Sequence, residues 1–147
     1  MTMTGLSVFD HTVQKSNVWV NDLAQNLEWD DKHKAFQGMR MTLHALRDRL
    51  PVEEAAHLGA QLPVLLAGFY YEDWRPANKP TKERSKEEFL ARIRDYLQNT
   101  DPDVDVEKLV RTVFEQLAMR ISTGEIEDVT SMMPSELKEL WPGSVRA

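Results

Sequence analysis

Apolar residues recur along this chain at intervals of three and four, the spacing that gathers them on one side of an α-helix. No stretch alternates apolar and polar positions as a half-buried strand would. The clearest case runs from about 104 to 121, where Val106, Leu109, Val110, Val113, Phe114, Leu117 and Ile121 fall on one face. Asp105 stands before this run, where a carboxylate can accept the first free amides of the helix. A second stretch, about 31–50, places Phe36, Met39, Leu43, Leu46 and Leu50 in the same way.

The two stretches are copies. A slide of 71 positions lays Arg40 on Arg111, Leu46 on Leu117, Arg49 on Arg120, Glu54 on Glu125, Pro63 on Pro134 and Leu66 on Leu137. The preceding helices align at a shift of 70, with Trp19, Val20, Leu23 and Leu27 on Phe89, Leu90, Ile93 and Leu97. The pattern predicts an all-α fold made by tandem duplication of a four-helix unit, two long helices and then two short ones. The helices fall at about 8–28, 31–50, 51–60 and 62–71, then at 84–99, 104–121, 122–132 and 134–141. The repeats, about 8–71 and 84–142, are joined by a loop at 72–83 and pack as one compact bundle, a single domain over 1–147.

Local signals agree with this frame. Ser122 and Glu125 have capping-box spacing, and Glu54 is expected to cap its own helix in the same way. Pro63 and Pro134 suit first helical positions, where a missing N–H costs nothing. Arg49 and Arg120 end the second helix of each copy, within reach of Glu54 and Glu125 across the turn. The mixed run from Lys79 to Lys86 reads as part of a solvated linker.

Charge and composition narrow the function classes. A net charge of −6, with basic residues scattered among acids, argues against nucleic acid and against acidic membranes as partners. There is no cysteine, so disulfides, thiolate metal sites and cysteine nucleophiles are excluded. The stretch from Met1 to Val8 lacks the basic start and apolar run of a signal peptide. The longest apolar stretch, Leu62 to Tyr71, is too short to cross a bilayer. A cytoplasmic protein is expected.

Three features invite a chemical reading. Glu54 and His57 lie three residues apart on one helical face, a spacing that can aim two ligands at one metal ion. The matching position to His57 in the second copy is Asp128, and both helices are short, so no metal site and no cofactor are expected. The arginines repeated in both copies read as structural ion pairs. The third feature is the segment Gly68-Phe-Tyr-Tyr-Glu-Asp-Trp-Arg-Pro76, whose aromatics and arginine have no counterpart beyond Trp141-Pro142. Tyr, Trp and Arg dominate binding hot spots, which marks Tyr70, Tyr71, Trp74 and Arg75, with His44 nearby, as ligand or partner contacts. Features shared by both copies are assigned to the scaffold.

The stretch from Leu43 to Pro63, with Gly68 to Pro76, resembles domain-of-unknown-function family 2267, a group of uncharacterised bacterial proteins. That resemblance runs from about Val8 to Pro142 and implies no activity. Residues 50–66 and 121–137 are also similar to short helical repeats of flagellar-switch proteins and magnesium-channel cytoplasmic domains, which implies a stacked-helix interaction module. No catalytic motif is present, and enzymatic activity is not expected. The role that fits is a non-catalytic helical protein–protein interaction module, binding a protein partner or itself as a homodimer. The alternative is a small-molecule-binding helical protein with an aromatic pocket between the two repeats.

Overall fold

Polar caps set where three of the longer helices begin. Asp31 accepts the Lys34 amide at 3.1 Å, Asp105 the Lys108 amide at 3.1 Å, and Ser85 with Glu88 forms a complete capping box. The structure, a computed structural model, describes residues 3–145, so the outer two residues at each end of the expected domain lie outside the described part. Among the described residues there are eight α-helices and no strand. These are α1 (Ser7–Leu27), α2 (Lys32–Arg49), α3 (Val52–Gly59), α4 (Val64–Tyr70), α5 (Lys86–Leu97), α6 (Val106–Arg120), α7 (Thr123–Ser131) and α8 (Ser135–Lys138). Short 3₁₀ turns follow α4 and α8 at Pro76–Asn78 and Gly143–Val145.

The apolar face expected on α6 is buried along its whole length, from Val106 to Ile121. α2 is more deeply set than its pattern implies. Beside Met39, Leu43, Leu46 and Leu50 it buries Thr42, His44, Arg47, Asp48 and Arg49, while Phe36 stays half-buried. The reason is its position, since α1, α4, α5 and α6 all pack against α2. α1 also lies on α6, α5 on α8, and the two short helices α3 and α7 pack on each other. One hydrophobic core results, with Phe114 stacked on Trp141 at 4.1 Å between ring centres.

Several local expectations are corrected. Pro51, Pro63 and Pro134 stand one position before their helices, with ψ of 148°, 143° and 158°, so they lead the chain in as extended caps. Ser122 accepts the Glu125 amide at 3.3 Å, but the glutamate does not return the bond. Glu54 caps nothing either. Arg49 donates to the Glu83 carbonyl at 2.7 Å and Arg120 pairs with Asp22, so neither reaches the glutamate across its turn. The link between α4 and α5 is pinned. Thr81 donates its amide to the Asp48 carbonyl at 2.8 Å, and Glu83 pairs with Arg92.

Candidate functional site

The aromatic segment is divided between core and surface. The Tyr70 ring is fully buried, and its hydroxyl donates to the Ala55 carbonyl of α3 at 2.7 Å. Burial pushes the Tyr70 phenol far above its ordinary range, so it stays a donor. Tyr71 donates to the next carbonyl, Ala56, at 3.2 Å. Its ring meets Tyr70 edge-on at 5.0 Å and Trp74 at 5.5 Å. Tyr71 and Trp74 are half-buried and Arg75 is exposed. Together the two tyrosines clamp α3.

His44 lies on the other side of that segment. Its Nε2 is 2.7 Å from the Phe69 carbonyl, which can only accept, so Nε2 carries the hydrogen. Burial holds the imidazole below its usual range, with Arg47 and Arg40 adding to the effect against the Phe69 bond and Glu72. His44 and Arg75 line a polar cleft of about 380 Å³ with Arg40, Glu72 and Arg92. His44 and Arg75 thus share one cleft, whose lining includes none of Tyr70, Tyr71 and Trp74. Buried Arg47 ties the region together by donating to Asp48 at 2.8 Å and to the carbonyls of Tyr70 and Glu72 at 2.8 and 2.6 Å. Arg40 grips both carboxylate oxygens of Glu72.

Beneath the clamp, α3 and α7 bring three donors together. Glu54 and His57 of α3 and Glu125 of α7 each offer a ligand atom, all within 4.8 Å of one another. Glu54 is buried, Glu125 half-buried and His57 exposed. His57 Nδ1 is 3.9 Å from Glu54 Oε2. Burial first, and then the hydrogen bond and charge of Glu54, with Asp128 adding, push the Glu125 carboxyl up to about 8. Glu125 is the position that matches Glu54 in the sequence, a match that by itself marks it as scaffold.

A groove elsewhere escaped the sequence reading. α1, α2 and α4 leave an apolar trough of about 350 Å³ lined by Val13, Val20, Phe36, Leu65, Leu66 and Phe69. Phe36 and Phe69 meet edge-on at 5.0 Å on one wall. The Leu65 amide donates to Thr12 Oγ1 at 3.0 Å, which brings the start of α4 against α1. Ser16 on the lining is buried, and its hydroxyl has no partner. Leu6, Val8 and Phe9 at the start of α1, with Val64 and Leu65, leave 40–77% of their surface exposed. The available signal was the Phe9, Val13, Val20 spacing, which runs past the part of α1 that the core needs.

No helix among the described residues is long and apolar enough to cross a membrane. Residues 16–140 match the family described as Uncharacterized conserved protein (DUF2267), and the chain belongs to that family. No curated protein matches it.

Proposed function

Since membership of that family assigns no chemistry, we propose from the geometry that the protein is a non-catalytic helical interaction module that associates with a second copy of itself. The observation that carries this is the apolar groove beside exposed Phe9. Phe9 is exposed one turn before Val13 of the groove lining on α1, and the Leu65 amide bonds Thr12 on the same helix, which places an aromatic knob at the groove's end. Solvent-exposed apolar surface of this kind is uncommon unless something covers it. Because one chain carries both shapes, two copies related by a two-fold axis satisfy both at once. Tyr71 and Trp74 stay with the clamp on α3 in this reading. Light scattering should show a dimer, and Phe9→Asp should make it a monomer with unchanged helicity, whose melting temperature no longer rises with protein concentration as the wild type's does. A wild-type protein that stays monomeric at high concentration would refute it.

The reading includes a duplicated frame and a bacterial, cytoplasmic setting, to which the lack of cysteine is suited. The duplication is supported by helix ends that fall in register: Leu27 and Leu97, Arg49 and Arg120, then the starts Val52 and Thr123, Val64 and Ser135. Crossed packing supports it further. α1 lies on α6 of the other half, as α5 lies on α2, while α3 meets α7. At one such contact, a Cβ on Gly38 would come 2.8 Å from Leu109, its own counterpart in the alignment.

A second reading is a small-molecule-binding protein, with the ligand in the same groove. The unpartnered Ser16 hydroxyl favours it, since a mostly apolar pocket with one or two polar anchors is the usual form of such sites. A thermal-shift screen of apolar metabolites with a polar end tests it, because a ligand that binds only the folded state raises its melting temperature. A shift that Ser16→Ala abolishes supports this reading, and no shift from any compound refutes it.

A further inference from the structure

We propose that Glu54, His57 and Glu125 form the binding site of a single divalent transition-metal ion that clamps α3 to α7. Three donors of suitable kind already lie within 4.8 Å of one another, from two helices that pack face to face. The Glu54 side chain is only 7% exposed, and its Oε2 is buried without a hydrogen-bond partner. Glu125 Oε2 is buried and unpartnered as well. No lysine or arginine pairs with either carboxylate among the described residues. Like charges brought together away from water are costly unless a proton or a cation lies between them. A divalent ion would balance the two carboxylates.

The third donor is placed to complete the shell. His57 is one helical turn from Glu54 on the same face, and 58% of its side chain is exposed, so the ring is free to swing inward. Metal–ligand distances of about 2.0–2.2 Å put neighbouring donors about 3 Å apart, a contraction that side-chain rotation alone can make. Two carboxylates and an imidazole suit zinc, manganese, iron or cobalt in the divalent state, better than calcium or soft copper. Asp128, one turn beyond Glu125 on α7 and exposed, is where an acceptor for a metal-bound water would stand. Three protein ligands would leave the rest of the shell to water, and the ion would tie α3 to α7.

Without a metal the same residues have another solution, a proton shared by the two glutamates. The experiment must separate the two. Metal-free full-length protein is titrated with zinc chloride by calorimetry, beside Glu54→Gln/Glu125→Gln and His57→Asn. Glutamine keeps the shape and removes the charge, and His57 is exposed, so both variants should retain wild-type circular dichroism. One zinc per chain is expected, with affinity about 100-fold weaker in the double variant and at least about 10-fold weaker in His57→Asn. Cobalt(II) in place of zinc should give visible absorption bands that His57→Asn alters. No zinc binding by the wild type, or equal binding by the double variant, would overturn the proposal and leave the shared proton as the account of the pair.

Discussion

Replacing Gly59 with alanine should destabilise the protein, against the direction that helix propensity predicts. Gly59 is the last residue of α3, and a Cβ there would stand 2.2 Å from Tyr71 Oη, 2.6 Å from Tyr71 Cζ and 2.9 Å from Tyr70 Cε2. Ordinary contact begins near 3.4 Å, so the Tyr71 ring must retreat by about 1.2 Å. That movement breaks the hydrogen bond to Ala56, a loss of about 1 kcal/mol, and disturbs the ring's packing between Tyr70 and Trp74. Overpacking of this kind costs about 1–3 kcal/mol, while alanine returns at most about 1 kcal/mol at a helix end. The net expectation is a loss of about 2 kcal/mol, or roughly 6 °C in melting temperature for a chain of this size. Gly68→Ala is the control, because nothing lies within 4 Å of its Cβ in the middle of α4. It should gain about 0.5–1 kcal/mol. Urea unfolding followed by circular dichroism measures both. If Gly59→Ala is as stable as the wild type, the tyrosine clamp on α3 is not packed as described.

Arg47→Met should cost about 2 kcal/mol in the same assay, since it removes the buried donor to two carbonyls and to Asp48 Oδ1, while Arg92 still pairs with Asp48 at 2.7 Å; a loss below about 0.5 kcal/mol would contradict the network. His44 supplies a pH dependence. Its folded-state value is lowered, so the folded protein binds fewer protons than the unfolded chain at acid pH. The stability it contributes is complete above the unfolded value of 6.5 and is lost as pH falls below it. Wild-type stability measured by urea unfolding should therefore fall relative to His44→Gln on the acid side, and parallel curves for the two proteins would refute this.

Periodicity made the helices legible because each long helix buries one continuous apolar stripe, as α6 does from Val106 to Ile121. It did not reveal that α2 is surrounded. Arg47 and Asp48 look like surface residues in sequence, and only four neighbouring helices make their burial and mutual pairing intelligible. The arginines that end α2 and α6 find partners other than the expected glutamates for a related reason. Arg49 finds a carbonyl and Arg120 a carboxylate far along the chain, and sequence proximity to Glu54 and Glu125 carries no weight against that geometry.

The glutamates show a limit of reasoning from internal symmetry. Positions that match in the sequence alignment are expected to be scaffold, yet matching positions can meet each other in the fold. Glu54 and Glu125 do so, and the contact creates a chemical environment that neither has alone. Phe9 and the groove were hidden in the opposite way. They are apolar residues at helical spacing, which the pattern assigns to the core, and only the three-dimensional packing shows that the core does not reach them.

Self-association through the groove is tested most directly by a photo-crosslinker placed at position 9. A benzophenone side chain replacing Phe9 keeps an aromatic ring at the knob and reacts with whatever covers it. The account predicts a crosslinked dimer whose joined peptides pair position 9 of one copy with the Val13–Val20 or Leu65–Phe69 wall of the other. Crosslinks confined to single chains, or dimers joined through other surfaces, would contradict it.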